Sequence, residues 1–190
     1  STQYDVVGAV SDGRELLKAA PQLEPDVIVT DMAMPRLNGM DACIKLRKKL
    51  PDVKIIFLTV NEDSERVAEA IRIGANGYLL KSSAASELFQ AIDAVLMGRT
   101  YITPLVTEGV IGSLIGGNKG ESSPLDKLTV RQREVLQLLA EGNTMKQAAE
   151  ILSLTPRTIA FHKYRIMEDL KIETSAELIR FAVKHGLAGN

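Results

Sequence analysis

The sequence of 190 residues holds one cysteine, Cys43, and two histidines, His162 and His185. A single cysteine excludes an internal disulfide framework and suits a reducing compartment. Neither histidine is near Cys43 in the chain, so a catalytic Cys–His pair has no support. Cys43 reads instead as a small buried apolar residue on a helix, the usual state of a free cysteine. No apolar run approaches the length of a membrane span. No basic-then-apolar pattern opens the chain as a secretion signal would. These absences predict a cytoplasmic protein without a membrane partner. Net charge is small as well, −1 at pH 7, so the whole-chain balance does not point to nucleic acid.

What is present is enough apolar material for a core, 45% of residues, with 25% charged. The length suits one large domain or two small ones. Charge separates the halves. Residues 1–115 carry 12 Lys/Arg against 15 Asp/Glu, a net of −3, and residues 116–190 carry 11 against 9, a net of +2. The basic surplus is concentrated in Arg157–Arg165, a segment with no acid.

The first half alternates strand and helix signals. Residues 4–10 (YDVVGAV) are apolar and β-branched and predict a buried strand. Residues 13–23 predict a short helix ended near Pro21. Residues 27–30 predict a strand that delivers Asp31. Residues 39–50 predict a helix with Met40, Cys43, Ile44 and Leu50 inward and Lys45, Arg47, Lys48 and Lys49 outward. Residues 55–58 predict a strand ending at Thr59, 64–73 a helix closed by Gly74, and 77–80 a strand ending at Lys81. Residues 86–97 predict a helix with Leu88, Phe89, Ile92, Val95 and Leu96 apolar. Near-continuous apolar strands alternating with helices imply a doubly wound parallel sheet, the α/β class. Residues 103–115 predict one more helix.

Residues 116–127 have linker composition, Gly116-Gly117-Asn118-Lys119-Gly120 followed by Ser122-Ser123-Pro124. The stretch lacks phosphate-loop spacing and follows no strand. Beyond it, 128–190, every signal is helical. Thr129 with Gln132 and Thr174 with Glu177 are capping boxes. Residues 146–152 predict a short helix. Ser153-Leu154 is a turn, and Thr155 with Pro156 at the first helical position starts a helix through Leu170. Two helices joined by a short turn form a helix-turn-helix.

Asp31, Thr59 and Lys81 close three consecutive strands, 28 and 22 residues apart. In a parallel sheet these ends share one edge, where open α/β sheets bind ligands. A carboxylate can form an acyl phosphate. A hydroxyl can bond a phosphoryl oxygen, and a lysine can neutralise another. Each residue alone has a plainer reading: a strand-end Asp or Thr is usually a cap, and a strand-end Lys is usually solvated.

Residues 4–97, with the motif Asp31-Met32-Ala33-Met34-Pro35-Arg36-Leu37-Asn38-Gly39, resemble a response-regulator receiver domain of flavodoxin-like fold. The resemblance implies that Asp31 is phosphorylated by a sensor histidine kinase. It implies that Thr59 and Lys81 contact the phosphoryl group, and that Tyr78 is the aromatic whose rotation accompanies activation. A strand aromatic packed on a neighbouring helix is the equal reading of Tyr78. The family's Mg²⁺ would take Asp31 and the backbone carbonyl of Ala33, but the pair of acids that completes it has no counterpart here. Asp5 and Asp12 do not match that position. The first strand and helix of the family are expected to be missing, so the strands at 4–10 and 27–30 lack the one between them. Three explanations stay open: a fragment of a longer protein, which is favoured; a degenerate receiver; or a sheet completed by re-pairing or by a second chain.

Residues 128–187 resemble the LuxR-type helix-turn-helix of the NarL/FixJ group, through LTVRQREVLQLLAEG, residues 146–152 and LTPRTIAFHKYRIMEDL. The resemblance implies a four-helix unit whose third helix enters the major groove. On the wheel of that helix Ile159, Ile166 and Leu170 share the core face. Arg157, Ala160, Phe161 and Tyr164 share the opposite face. Ala160 and Phe161 are expected to contact thymine methyls or sugars, and Arg157, Lys163, Arg165 and Lys146 to hold phosphates. Tyr164, Thr155 and Thr158 complete the expected DNA-binding set, and His162 reads as a packed residue before a base reader. The expected protein is a transcriptional response regulator that binds promoter DNA as a homodimer. It is not expected to be an enzyme, since residues 1–115 contain no histidine and no Gly-rich phosphate loop. Two alternatives are a phosphorylation-independent DNA-binding protein and a phosphoryl-transfer enzyme.

Overall fold

In the computed structural model, residues 4–60, 62–107 and 124–188 are described, and they fall into two compact units. The first holds a four-stranded parallel sheet. In chain order its elements are α1 (Gly13–Leu23), β1 (Val27–Asp31), α2 (Gly39–Lys49), β2 (Lys54–Thr59), α3 (Ser64–Arg72), β3 (Gly77–Leu80), α4 (Ala84–Leu96) and β4 (Tyr101–Ile102). The strands lie in the order β1-β2-β3-β4, each parallel to its neighbour. Parallel neighbours need a helical crossover, and α2, α3 and α4 supply the three. α4 packs on β2, β3 and β4, α3 packs on β3, and α1 packs on α2. All four residues of β3 are buried, as a strand covered on both faces requires.

The strand expected at residues 4–10 does not form. Val6 and Val7 are 88% and 53% exposed. A parallel strand needs a partner at about 4.8 Å. β1 has one, β2, and its other edge carries no strand among the described residues. Tyr4 instead stacks on Phe89 with ring centroids 6.1 Å apart, and its hydroxyl hydrogen-bonds the Asp93 carboxylate.

α1 spans the expected residues 13–23, with Pro21 in its last turn, where a proline removes one hydrogen bond without ending the helix. The faces of α2 differ from expectation. The inward face of α2 is Ala42, Cys43 and Leu46, while Met40, Ile44 and Leu50 are only half-buried. Arg47, expected outside, is half-buried: its guanidinium donates to the carbonyls of Gly74, Pro51 and Val53 and to Asn76 Oδ1. On α4 the buried residues are Ala91 and Val95, and Phe89 and Leu96 are exposed. β4 was not anticipated; its signal is Tyr101-Ile102, aromatic and β-branched, three residues after Gly98. Of the helix expected over 103–115, residues 104–107 are helical and the remainder lies outside the described residues, as does the linker through Ser123.

The second unit is helical: a 3₁₀ turn at Pro124–Lys127, then α5 (Val130–Ala140), α6 (Met145–Leu152), α7 (Pro156–Leu170) and α8 (Ser175–Lys184). Leu125 of the turn, within the expected linker, packs against the core of this unit. The two expected capping boxes form, and a third, Thr144 with Gln147, starts α6. Val135, Leu136, Leu138, Ile159, Ile166 and Ala182 are fully buried in one cluster. Among the described residues no helix is long and apolar enough to cross a membrane.

Candidate functional site

Asp31 is the last residue of β1 and pairs with Leu58, Thr59 is the last residue of β2 and pairs with Leu80, and Lys81 follows β3. The parallel register therefore brings the three ends to one edge. The Lys81 ammonium donates to Asp31 Oδ2, with side chains 46% and 32% exposed. Lys81 is tied to the middle strand through its backbone N–H, which donates to the Thr59 carbonyl at 2.7 Å. Tyr78 is fully buried. Burial pushes its hydroxyl pKa up, and a hydrogen bond with Thr59 opposes that in part. The edge thus presents a carboxylate beside a cation, with a hydroxyl on the strand between them.

Gly39 shapes the chain after Asp31. Its N–H donates to the Met32 carbonyl at 2.8 Å. A Cβ there would lie 2.3 Å from the Asp31 carbonyl oxygen and 3.1 Å from the Phe57 ring. Close approach, not backbone conformation, requires glycine at this position. The sequence motif contained Gly39, but nothing in it signalled what the missing side chain makes room for.

In the helical unit, Thr155 caps α7 by accepting from the Thr158 N–H at 3.1 Å, and its hydroxyl lies 2.9 Å from that of Thr158. Ile159 and Ile166 are fully buried, and Phe161 and Tyr164 are 67% and 62% exposed. Leu170 is half-buried against the same core. The wheel is therefore oriented as the periodicity requires. The expected phosphate holders divide into two pairs. Lys146 and Arg157 are exposed. Lys163 donates to Ser175 Oγ at 2.7 Å and stands 5.7 Å from the Tyr164 ring centroid. Arg165 pairs with Glu168 at 2.8 Å and Asp169 at 3.5 Å. His162 is half-buried; burial lowers its pKa, and the charge of Arg131 lowers it further. Arg131 was not anticipated as a positioning residue. It pairs with Glu134 and donates to the Leu152 carbonyl at the end of α6, which fixes the turn into α7. Nothing in its sequence neighbourhood marks a contact 21 residues away.

Residues 1–93 match the response regulator receiver domain family, and residues 126–182 match the luxR family of bacterial regulatory proteins. Response regulator GacA of Pseudomonas aeruginosa is 33% identical over 182 residues, covering 96% of this chain and 85% of that protein. The chain is a LuxR-type response regulator. The regulator is also similar to RcsB from Salmonella enterica serovar Typhimurium, solved bound to promoter rprA in the presence of phosphomimetic BeF3−. That match has 26% identity and a TM-score of 0.57, and covers 93% of this chain and 84% of that one. A second RcsB structure shows two dimers bound to two parallel DNAs, at 25% identity and a TM-score of 0.52, covering 93% and 84%. The parallel sheet with its helices is the flavodoxin-like receiver, and α5–α8 form the LuxR-type DNA-binding domain.

The family implies Mg²⁺ beside the regulator's Asp31. The residues described here do not fit it: no three His, Cys, Asp or Glu side chains converge as a hard cation needs. Ala33 is exposed two residues beyond Asp31. Asp12 serves as the N-cap of α1, accepting from the N–H groups of Arg14 and Glu15 at 2.8 and 2.9 Å.

Proposed function

We propose that the regulator binds promoter DNA through α7, as a homodimer, under the control of phosphorylation of Asp31 by a sensor histidine kinase. The observation that carries this reading is the Lys81–Asp31 ion pair at the edge where Thr59 also ends its strand. An Asp31 oxygen attacks the phosphorus of a phosphohistidine. The P–N bond breaks, its electron pair stays with the imidazole, and an acyl phosphate forms. Lys81 stands where it can balance the charge of the new phosphoryl oxygens. The Thr59 hydroxyl can donate to one of them by giving up its bond to Tyr78, which biases a buried aromatic between two arrangements. DNA contact rests on the exposed α7 face and the outward cations Lys146 and Arg157. The dimer is suggested by the RcsB relative on DNA, and two copies would meet half-sites about 34 Å apart.

Incubation with phosphoramidate, followed by intact-protein mass spectrometry, tests the acceptor. One phosphoryl adduct is expected, substoichiometric in the absence of a converging acid group, and lost in Asp31→Asn. An adduct that survives the substitution overturns the assignment. A second reading is phosphorylation-independent DNA binding. It is favoured by the same acid deficit among the described residues. Under it, Asp31→Asn and the unmodified and phosphorylated protein bind promoter DNA equally.

A further inference from the structure

This inference rests on the reading of α7 as the helix that enters DNA, and names what its face recognises. α7 is locked in phase. Ile159 and Ile166 are fully buried, Thr155 caps its start, and Lys171 closes its end in the left-handed region. A helix anchored in this way cannot roll to hide its outer side. On that side Phe161 is 67% exposed and Tyr164 62%, beside exposed Arg157 and half-buried Ala160. An aromatic ring left two-thirds in water contributes little to the fold, and within an acid-free segment it marks a contact surface for a polyanion.

Composition decides which base edges this surface can read. In the major groove Asn or Gln pairs with adenine, Asp or Glu with cytosine and Arg or Lys with guanine, while Ser or Thr bonds either; the Thr158 hydroxyl already lies 2.9 Å from that of Thr155. Arg157–Arg165 contains no Asn, Gln, Asp or Glu. Of its three cations, Lys163 donates to Ser175, Arg165 is 55% exposed and pairs with Glu168 and Asp169, and Arg157 is exposed. The thymine 5-methyl group requires only an apolar partner. We propose that Phe161, flanked by Ala160, reads thymine methyl groups in the major groove, so that thymine dominates the bound sequence opposite the middle of α7.

The test uses the full 190-residue chain. Bound sequences are selected from a randomised duplex pool, and the winning duplex is remade with each thymine replaced in turn by deoxyuridine, which removes one methyl and nothing else. At the contacted positions affinity is expected to fall about fourfold per methyl. In Phe161→Ala, an exposed position where circular dichroism should show the helix content retained, the thymine and deoxyuridine duplexes are expected to bind alike. Indifference of the wild type to deoxyuridine, or full discrimination retained in Phe161→Ala, overturns the inference while DNA binding stands. If no sequence is enriched and no duplex is bound even at low salt, the DNA-binding reading fails with it.

Discussion

Individual side chains in this regulator do their work through what lies within one contact of them. Asp31 and Lys81 form a half-exposed ion pair, and such pairs contribute only about 0–1 kcal/mol to stability. Their placement therefore answers a chemical need more than a folding one. Gly39 is the reverse case. Its φ lies outside the left-handed region, so its backbone accepts any residue, yet the first carbon of a side chain would press on the Asp31 carbonyl oxygen at 2.3 Å. Gly39→Ala is expected to destabilise the receiver by about 1–3 kcal/mol, the usual range for overpacking. It is also expected to slow phosphoryl transfer to Asp31, the proposed acceptor, by displacing it. Urea denaturation and phosphoramidate labelling measure the two effects. Cys43 is 1% exposed, and burial pushes its thiol pKa up to about 11, so it stays a protonated core residue at neutral pH.

Elements in the helical unit are defined by their caps. Three of its four helices begin with a reciprocal capping box, and α7 begins with Thr155 and Pro156. α6 is the one that depends on its cap most, because it has only eight residues and short helices are marginal by themselves. Its box is Thr144 Oγ1 accepting from the Gln147 N–H at 3.2 Å and Gln147 Oε1 accepting from the Thr144 N–H at 2.8 Å. Thr144→Ala is expected to cost about 1 kcal/mol and to lower the melting temperature of the α5–α8 domain by roughly 4–8 °C. Base preference should not change, since Thr144 lies on a different helix from Phe161; calorimetry and the deoxyuridine series check the two parts. This cap shows where pattern reading stopped short. A start at Lys146 was expected, one residue inside the helix, because Thr144 and Gln147 carry the box without the long apolar run that made Thr129 and Thr174 conspicuous.

At the scale of the molecule, the sheet ends at β1 with an unpaired edge among the described residues, and Val29 there is 37% exposed. Open parallel edges bearing β-branched residues invite pairing with another strand. The 190-residue chain is expected to self-associate as its concentration rises, and Val29→Lys to reduce light scattering while shifting stability by no more than about 0.5 kcal/mol. Residues 4–10, expected as a strand, form none even though that edge is open, and Tyr4 packs on Phe89 of α4 instead. β-branched periodicity reports what a segment would do with a partner, and a partner is a property of the sheet. Phe89 and Leu96, seven residues apart, share the face of α4 opposite the buried Ala91 and Val95, so being apolar did not make them core residues.

The residues that could be placed from sequence were those governed by local rules. These are the caps at Thr129, Thr155 and Thr174, the buried stripe of Ile159 and Ile166, and the strand-end positions of Asp31, Thr59 and Lys81. Each depends on neighbours within a turn or a strand, so the information is contiguous in the chain. That Lys81 and Asp31 share one edge followed from the parallel-sheet reading; tertiary structure added that they form a direct ion pair across the intervening strand. It also decided that Gly39 must lack a side chain, that Arg47 turns inward to bind carbonyls 4 to 27 residues away, and that residues 4–10 stay outside the sheet. Those outcomes depend on which surfaces meet, and a linear pattern carries no record of distance in space.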